Sequence, residues 1–308
     1  MQKIYQTTIS KKVSFNGKGL HTGNKANITL YPGKADQGII FKRIDLKENN
    51  IIKANYSNVS SAKLCTTLEN EHGIKVSTIE HLLASFYILD IDNVTIEINN
   101  EEIPIMDGSA KDFIEELKKV EIKSLDSKRK YLKILDKIEF NDGKRKIFIE
   151  PDENFKVDFQ LNYENEVIGT QRNLVDFEND NLEDVSNSRT FCLYEDIEKI
   201  KKAGLAKGGS LENAIVVDKE KVLNEGGLRN DKEFVNHKIL DLAGDLVLSG
   251  YRILGKVTCH QGGHELTNMF LRKLLKQKSS LKSINLDNQT KSNSLKSSPS
   301  FSKLVASA

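Results

Sequence analysis

The 308-residue sequence predicts a mixed α/β (α+β) protein in two similar domains, each a small mixed β-sheet packed on helices, and three observations carry that reading. At roughly 150 residues per domain the length suits two domains, each able to bury its own core. The first hundred residues alternate strand-like segments with turns and then switch to helical spacing at STIEHLLASFYIL. The second half repeats that order, strands first and helices after, which suggests two related layers packed face to face.

Taken in order, ANITLYPG and GIIFKRIDL read as strands and STIEHLLASF as a helix, with Ser77 and Glu80 spaced as a capping box. The strand NVTIEINN and a turn at Asp107-Gly108 lead to a second helix, SAKDFIEELKKV, in which Ser109 and Asp112 could cap. EIKSLDSKRK has no apolar period and reads as a linker around 121–130, so the N-terminal domain is expected at 1–126 and the C-terminal domain at 127–276. There YLKILDKIEF, RKIFIEP and FKVDFQLNY are strands. They are followed by the helix YEDIEKIKKAG, a buried strand AIVVD, a long helix over about 231–249, the strand RILGKVTCHQ and a last helix. Residues 277–308 are expected to be a disordered tail, because from Lys276 onward ten serines and six lysines face one acid, Asp287, with no period.

Charge and composition exclude several classes. Lys and Arg number 46 against 44 Asp and Glu, a net +2 that argues against a dedicated nucleic-acid binder. The +5 carried from Lys276 onward leaves residues 1–275 at −3, so the basic excess belongs to the tail. With 38% hydrophobic and 29% charged residues, and no run near the ~18 apolar residues of a membrane span, the chain reads as soluble, without stable membrane insertion. The start MQKIYQTTISKKVSF lacks the apolar core of a signal peptide, and Cys65, Cys192 and Cys259 form no disulfide framework. A cytoplasmic location is the expectation.

The chemistry concentrates in histidines and carboxylates. His237, Asp241 and Asp245 lie at i, i+4 and i+8 and share one helical face. Such a pair is either a surface ion pair or half of a metal site. The apolar Ile239, Leu240, Leu242 and Ala243 between them favour a buried helix, where charges are rarely left unpartnered. Glu80 and His81 open another helix, where Glu80 reads either as a cap or as a carboxylate beside a third ligand. Two imidazoles, one carboxylate and an open position is the pattern of catalytic zinc. His264 follows Gly262-Gly263 into a helix; the helix dipole would keep it neutral, whereas Asp245 nearby would favour its protonated form. Cys259, His260 and His264 lack the second ligand pair of a zinc finger.

These residues sit in GKGLHTG, LCTTLEN, STIEHLLASF, IDNVTIEINNEEIPIMDGSA, SRTF, GGSLENAIVVD, LNEGGLRNDKEFVNHKILDLAGDL and GGHELTN. Over residues 1 to about 275 the order of motifs resembles the UDP-3-O-acyl-N-acetylglucosamine deacetylases of lipid A biosynthesis. The resemblance implies two α/β domains whose helical layers sandwich the active site, and a hydrolase with one catalytic Zn2+ that removes the acetyl group from the glucosamine 2-position. It makes His81, His237 and Asp241 the zinc ligands and Glu80 the general base. His264 would be the imidazolium that stabilises the oxyanion and protonates the leaving amine, with Asp245 as its partner and Thr190 hydrogen-bonding the intermediate.

The same resemblance makes about 191–217 an insert that forms a passage for the 3-O-acyl chain, with Phe191, Ile197, Ala206, Ser210, Ala214 and Val216 on its walls and Leu64 beside the substrate. Ordinary core is the alternative for each. Lys238 and His21 match positions near the sugar and diphosphate, Arg145 is a candidate for the diphosphate, and Cys65 matches a cysteine near the metal. The partner implied is the acylated UDP-sugar, with no nucleic acid and a monomeric protein. An amidase acting on another N-acyl sugar and a non-catalytic binding module using the basic tail are the competing readings. His72 and His260 receive no role.

Overall fold

The computed structural model describes residues 2–286. In the N-terminal half a five-stranded sheet runs in the order Val13–Lys18, Lys25–Pro32, Val94–Ile98, Ile39–Arg43, Ile51–Lys53. Only Ile39–Arg43 and Val94–Ile98 pair in parallel. Side chains alternate along these strands, so Phe15, Ile28, Leu30, Phe41 and Ile96 enter the core while their neighbours face outward. Two helices follow, α1 (Glu80–Ile88) and α2 (Lys111–Lys118), and Phe113 of α2 meets Phe15 edge-on at 5.1 Å.

The C-terminal half repeats this plan around Arg252–His260. That strand pairs in parallel with Phe155–Asn162 and Tyr131–Ile134 and antiparallel with Lys146–Glu150. Its helices are α3 (Glu183–Ser186), α4 (Tyr194–Lys202), α5 (Glu233–Val247) and α6 (His264–Leu274). The strands Phe191–Leu193, Ile215–Asp218 and Lys221–Val222 form a separate three-stranded sheet beside α4. The mixed α/β class and the two similar halves therefore stand as the sequence predicts.

The halves meet where α1 crosses α5. Both helices are buried on almost every side, which fits their apolar sequences. Gly244 makes the crossing close: a Cβ there would lie 2.1 Å from the Glu80 carbonyl oxygen. Glycine in a helix costs about 1 kcal/mol relative to alanine, so its presence at this point is explained by the contact rather than by helix propensity.

Two segments differ from the sequence reading. Ile122–Lys128, read as linker, is a strand paired antiparallel with Tyr5–Ile9; most of its residues are exposed or half-buried, which erased the apolar period. Leu281–Ile284, read as tail, pairs antiparallel with Tyr131–Ile134 at the sheet edge, where little burial is needed. The rest of the tail, 287–308, lies outside the described residues. Neither expected capping box forms: α1 and α2 begin after Ile79 and Ala110, and the Ser109 hydroxyl accepts from the N–H of Lys111, not from that of Asp112. The strand Thr170–Asp176 and α3 were not foreseen.

Candidate active site

Glu80 and His81 are the first two residues of α1, and the chain reaches them through Thr78 at φ 57°. A β-branched residue in the left-handed region is strained. Buried Glu102 holds it there, accepting from the Thr78 hydroxyl at 3.0 Å and from the backbone N–H groups of His21 and Thr22 at 2.7 Å each. Across the crossing, Asp241 and Asp245 flank Gly244 on α5, and His237 lies one turn before Asp241.

His81 Nε2 and His237 Nε2 lie 3.3 and 3.4 Å from the same atom, Asp241 Oδ1. The three residues offer ligand atoms within 4.8 Å of one another, and the imidazoles meet edge-on at 5.0 Å. Asp241 Oδ1 is buried and has no hydrogen-bond partner among the described residues. A buried carboxylate oxygen without a donor is costly, and two imidazole nitrogens converging on it make a set that a divalent cation satisfies. The donor set fits zinc.

The surroundings of His237 and Asp241 favour the forms that bind a cation. His237 Nδ1 faces the Ser188 carbonyl at 3.1 Å, so Nδ1 donates and Nε2 keeps its lone pair. Burial pushes the His237 imidazole down to about 3. Burial also works against the Asp241 charge, yet His237, Lys238 and His264 around it hold its carboxyl well below the usual range. Because His237 itself stays neutral, Lys238, whose Nζ is 2.9 Å from Asp241 Oδ2, and His264 supply that charge. A neutral imidazole and an ionised carboxylate are the forms that bind metal.

Beside this set stand a buried imidazole and two carboxylates, His264, Asp245 and Glu80. His264 begins α6, and its Nδ1 lies 2.8 Å from Asp245 Oδ2. Its Nε2 points at Glu80 Oε1, 3.7 Å away. Burial disfavours charge on His264, but Asp245, Glu80 and Asp241 outweigh it and raise the imidazole to about 10. The competition between dipole and carboxylate left open by the sequence is thus won by the carboxylates. Glu80 is shifted up by burial, only partly offset by His264 and His81. A carboxylate with raised proton affinity next to an imidazolium is a base facing an acid.

The pocket holding these groups shares Leu20, His21, Leu64 and Thr190 with an apolar cavity of about 330 Å³. Phe191, Ile197, Ala206, Ser210, Ala214 and Val216 all line that cavity. Lys238 lines the metal pocket. His21 Nε2 is buried without a partner among the described residues, and burial lowers the affinity of the imidazole for a proton.

A family model described as UDP-3-O-acyl N-acetylglycosamine deacetylase (LpxC) matches residues 6–276. The chain belongs to this family. Relatives named UDP-3-O-acyl-N-acetylglucosamine deacetylase include one from Shewanella frigidimarina, 41% identical over 93% of this chain and 94% of the relative. One from Idiomarina loihiensis is 40% identical over the same shares, and one from Shewanella baltica is 42% identical over 89% of this chain and 90% of its own.

Three of the sequence-predicted residues line neither cavity: Asp245, which reaches the site through His264, and Arg145 and Cys65. Arg145 pairs with Asp142 and, at 3.2 Å, with Glu265, the residue after His264. Cys65 is buried, and burial together with the Glu80 charge pushes its thiol up to about 12. Sequence reasoning missed Thr66, Ser188 and Glu102, which hold the functional groups through contacts remote in sequence. All three lie inside motifs already singled out, but nothing in their spacing marks them.

Proposed function

We propose that this protein is a zinc-dependent hydrolase that removes the N-acetyl group from UDP-3-O-acyl-N-acetylglucosamine, giving acetate and UDP-3-O-acyl-glucosamine. The observation that carries the reading is that the His81–His237–Asp241 pocket and an apolar cavity share the walls Leu20, His21, Leu64 and Thr190. An amide held by its sugar at the metal end can run its fatty chain into such a passage, where each buried methylene contributes about 0.8 kcal/mol. Family membership and the names of the relatives agree with that substrate.

His81, His237 and Asp241 would hold the ion. Zinc supplies there a Lewis acid for the amide carbonyl and lowers the pKa of water toward about 7. Glu80 takes the proton of the attacking water. The His264 imidazolium faces the developing oxyanion and gives its Nε2 proton to the departing nitrogen as the C–N bond breaks; Asp245 keeps Nδ1 protonated and the ring aimed. The Thr190 hydroxyl donates to the oxyanion, and Lys238 holds Asp241 ionised and adds positive charge beside the sugar. His21, at the junction, faces the sugar and diphosphate.

In this reading residues 1–126 contribute Glu80 and His81, and residues 127–276 the remaining catalytic groups. The protein works as a cytoplasmic monomer on a small acylated UDP-sugar; no helix among the described residues is long and apolar enough to cross a membrane. The test is to incubate the purified protein with the 3-O-acylated UDP-sugar, with and without chelator, and to measure acetate and the free amine. Release that stops on chelation and returns with zinc supports the reading. A metal-independent rate, or no release, would sink it.

A further inference from the structure

Thr66 touches Glu80, one half of the acid–base pair, and Asp245, the carboxylate that holds His264, the other half. Its backbone N–H donates to Glu80 Oε2 at 3.1 Å, and its hydroxyl donates to Asp245 Oδ1 at 2.6 Å. Thr66 itself is buried, as are both carboxylates. The loop delivers it through Leu64 at φ 65°, a left-handed turn that a non-glycine residue rarely adopts. Asp245 Oδ2 is already taken by His264 Nδ1. The Thr66 hydroxyl therefore supplies the donor that its other oxygen needs, and with both oxygens held the carboxylate plane is fixed.

We propose that Thr66 is a positioning residue for the deacetylation, fixing Asp245, and through it the His264 ring, in register with Glu80. The inference rests on the reading in the preceding section, since it assigns a role within that same acid–base machinery. Fixing the plane of Asp245 sets the tilt of the His264 ring, and that tilt keeps Nε2 within 3.7 Å of Glu80 Oε1. The Thr66 N–H holds Glu80 Oε2 and leaves Oε1 to face the reacting centre. One residue thereby sets the separation of the group that accepts a proton from the group that gives one. Partners that orient functional side chains in this way are typically worth about 10- to 100-fold in activity.

Thr66→Val keeps the shape and the backbone N–H and removes only the hydroxyl. In the zinc-loaded enzyme, kcat should fall about 10- to 100-fold while KM and bound zinc stay within about twofold. Thr66→Ser, which keeps the hydroxyl, should recover most of the rate. In an Asp245→Asn background the Val substitution should cost little more, because the bond it removes is no longer one to a carboxylate. Zinc content by atomic absorption and thermal unfolding report on the site and the fold independently of turnover. If Thr66→Val fails to fold, Thr66→Ser against Thr66→Ala makes the same comparison, since those differ by the hydroxyl alone. A Val or Ala variant with wild-type kcat would overturn the proposal. So would a loss carried undiminished into the Asp245→Asn background, or one seen equally in Ser. Absence of acetate from the unmodified enzyme would instead overturn the deacetylase reading, and this inference with it.

Discussion

Replacing Gly244 by alanine should damage the site from a position that touches no substrate. The new Cβ would lie 2.1 Å from the Glu80 carbonyl oxygen, 2.9 Å from its carbon and 3.2 Å from Ala84 N. All three are backbone atoms of α1, so no rotamer change relieves the clash. To reach an ordinary contact of about 3.4 Å the helices must separate by more than 1 Å. Two energies compete. Alanine gains up to about 1 kcal/mol of helix propensity, and overpacking costs about 1–3 kcal/mol, so the net loss of stability should be modest. Catalysis should suffer more, because the helices that move apart carry Glu80 and His81 on one side and His237, Asp241 and Asp245 on the other. A misplacement of about 1 Å is worth on the order of 100-fold in rate. Acetate release, zinc affinity by competition with a chromophoric chelator, and melting temperature together check this. A Gly244→Ala enzyme with full rate and unchanged zinc affinity would refute the claim that the crossing sets the site.

Glu80→Gln keeps shape and removes the base, so zinc should remain bound while the rate falls by about 10²–10⁴-fold; metal analysis beside acetate release measures both. His264 gives a pH dependence with a defined sign: its imidazole is raised from 6.5 to about 10 in the folded metal-free protein, so the stabilisation is complete below 6.5 and is lost as pH climbs through about 10. The melting temperature of the metal-free protein should fall across that window, and His264→Gln should flatten the fall. Arg129 is buried between Asp90 and Asp92, at 2.7 and 2.8 Å, so Arg129→Met removes the nearest partner of two acids that Arg252 reaches only at 3.7 and 3.5 Å, and should cost about 3–5 kcal/mol by denaturant midpoint. A loss below about 1 kcal/mol would mean that Arg252, which also reaches those acids, compensates.

Legibility followed the range of the interaction. His237, Asp241 and Asp245 could be placed on one face because helical spacing is a local property. His81 on another helix joined them by the need for a third ligand and by resemblance, not by spacing. The cap proposed for Glu80 fails because its carboxylate turns instead to the N–H of Thr66, which no local rule foretells. The same holds for Glu102, whose acceptor atoms bind donors from His21, Thr22 and Thr78. Two of the missed edge strands share a different cause. Ile122–Lys128 and Leu281–Ile284 gain backbone hydrogen bonds while burying little, so their sequences carry no apolar signature.

The two aspartates of α5, four residues apart in one buried layer, differ because their partners do. Asp245 has both oxygens satisfied, by Thr66 and His264, and acts as a fixed support. Asp241 is satisfied at Oδ2 by Lys238 and at Oδ1 by nothing among the described residues. With Glu80, Asp241 and Asp245 as anions and Lys238 and His264 as cations, this buried layer carries one uncompensated negative charge. Glu80 answers in part by its raised proton affinity. A divalent cation held by His81, His237 and Asp241 would reverse the sign to one positive charge and would favour the ionised form of Glu80. Burial is the larger cause of the Glu80 shift, and the uncompensated charge that leaves Asp241 Oδ1 without a donor adds to it through Asp245 and Asp241.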